Sequence, residues 1–159
     1  MAEGTERQLV VFELANEVYG ISIGTVREII RMQTITYVPD APEFVKGVIN
    51  LRGRVIPVVD LRKRFGLPVT EPTPESRVLV VDIEGADIGV IVDAVTEVKR
   101  IPTASIQREA SIATTEESYY LEGIAKLEDR LLILLNLERA LHEGGAPTAD
   151  LARNLARAE

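Results

Sequence analysis

The chain has 159 residues, 46% hydrophobic and 27% charged, enough for one ordinary domain or two very small ones around a packed core. Aromatic residues make up only 4% and there is no Trp, so that core must be built from Val, Ile and Leu, which favours strands. The absence of Cys excludes disulfides and thiolate metal sites, the single His142 leaves little metal or acid–base chemistry, and a net charge of −7 opposes binding to phosphate backbones or anionic lipid.

The amino terminus, MAEGTERQ, is polar, and no run approaches the ~18 apolar residues of a spanning helix, so a soluble cytoplasmic protein without membrane insertion is expected. Leu9 to Leu14 and Val18 to Ile23 read as a hairpin around Ala15-Asn16-Glu17. Val26, Ile29 and Ile30 stand at helical spacing, with Arg27, Glu28 and Arg31 opposite, and predict a short amphipathic helix; Thr25 and Glu28 have capping-box spacing, and Ser22 is an equally good earlier cap. Ile35 to Val38 reads as a short extended piece.

The stretch Gly47 to Leu61, GVINLRGRVIPVVDL, is the richest in information. Its two apolar arms flank the polar corner Asn50-Leu51-Arg52-Gly53-Arg54, a hairpin signal in which Gly53 takes positive φ and two arginines are held out at the tip. Pro57 in the second arm predicts an edge strand or a bulge. Leu61 to Phe65 is one helical turn stopped by Gly66 and Pro68, and 66–76, with three prolines, is a surface connector. Arg52, Arg54, Arg62, Lys63 and Arg64 cluster with only Asp60 to offset them; this is an ordinary solvated surface or a dock for an acidic partner.

Arg77 to Ile83 and Asp87 to Val92 form another hairpin, around Glu84-Gly85-Ala86, followed by an extended piece from Val95 to Arg100. Leu121 to Leu127 and Arg130 to Leu137 surround the weaker turn Glu128-Asp129. Leu137 to His142 is a last helical turn, stopped by Gly144-Gly145, and 148–158 could add a weakly held helix. About ten short strands result, some five in each half of the chain, too few to bury both faces unless each sheet closes on itself. Two small barrels sharing a seam satisfy that demand.

Lys46-Gly47-Val48-Ile49, Asn50-Leu51-Arg52-Gly53 and Ile56-Pro57-Val58-Val59-Asp60-Leu61 together resemble the signature of the CheW family of bacterial chemotaxis adaptors. The likeness extends from Leu9-Val10-Val11-Phe12 through Tyr19-Gly20-Ile21, Val26-Arg27-Glu28-Ile29 and Gly89-Val90-Ile91-Val92-Asp93 to Leu131-Leu132-Ile133-Leu134. The resemblance implies a mostly β fold of two packed five-stranded SH3-like barrels with a few short helices. It places one such domain at 8–142, with 1–7 and 143–159 as flexible or weakly helical termini. It also implies a non-catalytic adaptor, without cofactor or metal, that couples the cytoplasmic tips of methyl-accepting chemoreceptors to the regulatory domain of the CheA histidine kinase. Such a protein would sit in the cytoplasm at membrane-associated receptor arrays.

By the same resemblance the receptor-binding residues are Val26, Ile30, Gly47, Arg52 and Val98. A groove with apolar walls and an arginine at its rim suits a helical tip carrying carboxylates. Gly47 would act by allowing close backbone approach. The kinase-binding residues are Glu28, Ile35 and Lys46, and since the regulatory domain of the kinase itself resembles CheW, a barrel-on-barrel contact is expected. The residues alone argue against catalysis: His142 lies near a terminus, the carboxylate pairs Glu116-Glu117 and Glu128-Asp129 fall on polar loops, and no phosphate-cradling glycine loop opens a helix. A CheW-type module in a non-chemotactic receptor–kinase pathway is the alternative. A CheV-like protein with a receiver domain is disfavoured by the seventeen residues after His142. A small-barrel nucleic-acid binder is remote, because Phe12, Phe44, Phe65 and four tyrosines offer no stacking platform on an acidic chain.

Overall fold

A computed structural model describes residues 5–39, 45–107 and 120–142. The expected terminal helix at 148–158, the Gly144-Gly145 stop, Phe44 and the Glu116-Glu117 pair lie outside the described residues. The chain is mostly β, arranged as two five-stranded sheets. The strands are β1 (Glu6–Leu14), β2 (Glu17–Ser22), β3 (Val26–Arg31), β4 (Val45–Leu51), β5 (Arg54–Asp60), β6 (Arg77–Ile83), β7 (Ala86–Val92), β8 (Ala94–Pro102), β9 (Leu121–Leu127) and β10 (Arg130–Leu135). Two short helices, α1 (Leu61–Arg64) and α2 (Leu137–His142), follow β5 and β10 as expected. Among the described residues no helix is long and apolar enough to cross a membrane.

The first sheet has the order β8-β1-β2-β10-β9 and the second β3-β6-β7-β5-β4. The sheets are therefore not the two halves of the chain. β1 and β2 belong to the first sheet while β3 to β5 belong to the second; β6 and β7 complete the second, and β8 to β10 complete the first. The connector after α1 joins two strands of one sheet rather than two barrels. Sequence reading could count the strands but could not see this exchange, because local pairing signals say nothing about which hairpins later share a sheet.

The exchange follows an internal repeat. Across the second sheet one register row runs Glu28, Val80, Gly89, Val58, Gly47; across the first, the matching row runs Glu97, Val11, Gly20, Leu134, Gly123. Bulges recur at the same places: Arg27 and Thr96 on the outer strands β3 and β8, Lys46 and Glu122 on β4 and β9. The helix caps match too, since Asp60 Oδ1 accepts from the Arg62 N–H at 3.0 Å and Asn136 Oδ1 from the Arg139 N–H at 3.0 Å.

Each sheet also closes in the same way. The chain leaving β3 crosses to the far edge, where Thr36 and Val48 exchange two backbone hydrogen bonds of 2.8 Å; the chain leaving β8 crosses likewise, and Gln107 and Ile124 exchange two of 2.9 Å. A glycine precedes each bridged residue. A β-carbon on Gly47 would overlap the Thr36 carbonyl oxygen and lie 2.8 Å from Ile35 Cγ2; one on Gly123 would lie 2.5 Å from Ile106 Cγ2. Only glycine lets the crossing strand come this close.

Among the described residues the apolar side chains form three clusters. One lies inside each sheet, formed by Leu9, Val11, Leu132 and Leu134 with their neighbours and by Ile49, Ile56, Val58, Val78 and Val80 with theirs. The third and largest lies between the sheets and takes the alternate residues Val10, Phe12, Val59, Leu79, Val81 and Val90. Successive side chains on β1, β5 and β6 thus enter different cores, so these strands are apolar on both faces and Val58 and Val59 are both fully buried. Phe12, Tyr19, Phe65 and Tyr120 form a chain of rings at centroid spacings of 5.7, 6.3 and 5.7 Å, tying the first sheet to the end of α1. Burial, with the Glu17 charge adding to it, pushes the Tyr19 phenol up.

Several local expectations change. The segment around Val26 is not a helix: after a 3₁₀ turn at Ile23–Thr25 it is the strand β3, with Val26, Glu28 and Ile30 half-buried and Arg27, Ile29 and Arg31 exposed. Period two and period 3.6 share positions over so short a run, and the β-branched residues favoured the strand. Beyond β3, the expected extended piece from Ile35 to Val38 contributes only the Thr36 bridge. β5 is an interior strand rather than an edge. Pro57 is tolerated because its partner Val48 directs both backbone groups to Thr36, and the ladder to β7 spans only Val58, Val59 and Asp60. The turns before β2, β5 and β7 are two-residue turns, with positive φ at Ala15 and Asn16, at Arg52 and Gly53, and at Glu84 and Gly85. Arg52 itself therefore takes the left-handed conformation that the sequence reading reserved for Gly53.

Gly47→Ala should lower stability by about 1–3 kcal/mol, because a backbone oxygen must move to admit the methyl group. Gly123→Ala should cost less, since its nearest obstacle is a side chain. Urea unfolding midpoints of the two variants and the parent test this order; equal midpoints for all three would refute glycine-dependent closure.

Candidate functional site

Arg52 projects from the β4–β5 turn, where Asn50 Oδ1 accepts from the Gly53 N–H at 2.8 Å and fixes the corner. Its guanidinium does not stand alone. One terminal nitrogen, Nη2, donates to both oxygens of Glu28 on β3, at 2.5 and 2.6 Å. The Arg52 side chain is 69% exposed and that of Glu28 27%. The Glu28 carboxylate, first by hydrogen bonding and then by charge, pushes the pKa of the guanidinium further up. The pair spans the two edges of the second sheet, on the same seam that Thr36 and Val48 close.

Around this pair the rim is a lattice of opposite charges. Arg27 Nε meets Asp87 at 2.6 Å and its Nη2 meets Asp82 at 3.0 Å, while Arg54 pairs with the other oxygen of the nearly buried Asp87. The expected basic patch is thereby dispersed. Arg62 is turned inward onto Asp93 at 2.6 Å, and Arg64 donates to the Ala140 carbonyl at 2.5 Å with its guanidinium 4.9 Å from the centre of the Tyr120 ring. The arginines paired with carboxylates order the local structure and present little net positive field to a distant acidic partner.

The other expected site residues fall into two groups. Gly47 lies against Thr36 and Ile35, and Ile30 and Ile35 pack onto the core inside the second sheet, so these three shape the seam from below. Val26 packs against the core between the sheets. Lys46 is the exposed bulge residue of β4 and lines a cleft of about 310 Å³ with Asp60, Arg62 and Asp93, beneath the connector. Val98 lies on β8 in the other sheet and is 49% exposed. Its repeat counterpart on β3 is Ile29, 41% exposed, a position that the helical reading had assigned to an apolar face. The signal that finds both is the repeated pattern Val26-Arg-Glu-Ile-Ile-Arg31 and Val95-Thr-Glu-Val-Lys-Arg100. The charge pair is not repeated: Glu97 matches Glu28, but Glu128 occupies the turn position of Arg52. Among the described residues no group of three or more His, Asp or Glu side chains is placed to hold a metal ion.

The family model for a CheW-like domain matches residues 8–144. The chemotaxis protein CheW of Klebsiella aerogenes is 34% identical over 139 residues, which cover 87% of this chain and 84% of that protein. Its namesake in Bacillus subtilis is 33% identical over 145 residues, 91% of this chain and 93% of the other. Among solved structures, the scaffolding protein TtCheW from Thermoanaerobacter tengcongensis matches with a TM-score of 0.79 and 42% identity, over 87% of this chain and 94% of its own. The chain belongs to the CheW-like family.

Proposed function

We propose that this chain is a non-catalytic scaffold of bacterial chemotaxis that couples chemoreceptors to the CheA histidine kinase in the cytoplasm, at receptor arrays. The observation that carries this reading is the match over nearly the whole of both chains to a solved structure described as a scaffolding protein. The second-sheet rim supports it: it offers fixed, paired charges beside apolar edge-strand surface, an arrangement suited to protein recognition. Reconstitution of a receptor cytoplasmic fragment, CheA and this chain tests it. Receptor-dependent ATP turnover by CheA should appear only when the chain is present. Turnover that does not depend on the chain would refute coupling, and ATP hydrolysis by the isolated chain would refute the non-catalytic reading.

In this reading Arg52 contacts a carboxylate on the receptor tip, with Val26, Ile30, Gly47 and Val98 shaping the receptor face. Glu28, Ile35 and Lys46 serve the kinase contact. Arg52 already holds Glu28 through a single nitrogen, so its remaining N–H groups can take a second carboxylate without breaking that pair. Arg52→Ala should weaken receptor binding by about ten- to a hundredfold, the range of a lost charge-assisted hydrogen bond. Arg52→Lys, which keeps the charge and loses the fork, should recover only part of it. Unfolding midpoints should barely move in either variant, because the side chain is exposed. Titration against a receptor fragment decides: unchanged affinity in Arg52→Ala removes the residue from the site, and a large fall in stability makes it a structural turn residue.

A further inference from the structure

The repeat and the exchange of strands together bear on a second copy of this chain. The first repeat unit, β1 to β5, supplies a hairpin to one sheet and three strands to the other; the second unit, β6 to β10, supplies the converse. Neither unit contains a complete sheet. They are held together along four ladders, β1 with β8, β2 with β10, β3 with β6 and β5 with β7, and both outer sheet cores draw on both units. The covalent link between the units, after α1, is weakly tied. Residues 68–75 are all exposed, and the backbone of this segment is tied to its flanks by the Pro68 carbonyl bonded to Arg62, the Pro74 carbonyl bonded to Arg77, and Thr73 bonded to Ser76. β5 and β6 flank β7 and run antiparallel, so their ends lie about 10 Å apart, two strand spacings, and the long connector bridges them with slack.

We propose that two copies of this chain form a segment-exchanged dimer, in which the first unit of each chain completes its sheets with the second unit of the other. Every ladder, cap and closing bridge of the monomer is reproduced across the two chains, and only the connector changes its path. The two states then differ by the effective concentration that the connector confers. For a flexible link longer than the gap it spans this is on the order of millimolar or below, so exchange competes when the chain itself folds at comparable concentration.

The test is to unfold the full chain and refold it over a concentration series from about 1 μM to about 1 mM, measuring mass by light scattering. Two differently tagged copies co-expressed in cells give a parallel reading that needs no refolding. The dimer should be rare at the low end and reach a share comparable with the monomer at the high end, and tagged pairs should co-purify. Isolated dimer should fail to dissociate on dilution without unfolding, and its amide spectrum should overlay that of the monomer except at 65–76. Monomer alone at every concentration, with no mixed pairs, overturns the proposal. So does a dimer that forms at once from native monomers or disturbs amides on the exposed faces, because that is surface association.

Discussion

The fold and its candidate site depend on the closure of two small sheets across their open edges. A five-stranded sheet with apolar residues on both faces has too little material to cover itself, and an unpaired edge is a liability. Here each edge is closed by one residue of extended chain laid across the opposite strand, Thr36 on Val48 and Gln107 on Ile124. Each closure relies on the missing side chain of an adjacent glycine. Gly47 has an internal reason to be glycine, independent of any partner. With the edges joined, the interior of each sheet fills, and the outward apolar residues of β1, β5 and β6 are left to build the core between them.

The same closure builds the candidate site. β3 and the β4–β5 turn are distant in the strand order of their sheet, at or near its opposite edges, yet Glu28 and Arg52 meet because the sheet curves until those edges face each other. The pair thus reports on closure at one end of the seam as Thr36 and Val48 do at the other. On the first sheet the geometry recurs and the charges do not, with Glu97 and Glu128 at the matching positions. Identical frames with different rims are how a duplicated fold can offer two faces of different chemistry, since function resides in the side chains grafted onto the frame.

Much of the frame was legible in the sequence. The hairpins at 9–23, 47–60 and 77–92 stand out because β-branched arms flank Asn or Gly corners, the one at 121–137 by its apolar arms alone, and the two helical turns because Gly and Pro end them. Arg52 stood out for the same reason, as a long charged residue beside a turn glycine. What could not be read was long-range. Its Glu28 partner lies on a strand that mimicked a helix, because Val26 and Ile30 fit both periods and Ile29 completes the helical one. Pro57 pointed to an edge because nothing local shows that Val48 is engaged elsewhere. The repeat escaped because its spacing changes: Glu28 and Glu97 are closer in sequence than Gly47 and Gly123, so no single period aligns the units.

The central claim is that the closed seam of the second sheet is the face that meets a partner. The most direct measurement is amide shift mapping of the labelled chain titrated with a receptor cytoplasmic fragment. The account predicts that the largest perturbations fall on β3 and on the β4–β5 turn from Asn50 to Arg54, with the connector 66–76 unmoved. Perturbations confined to the connector or to α2, with the seam silent, would contradict it.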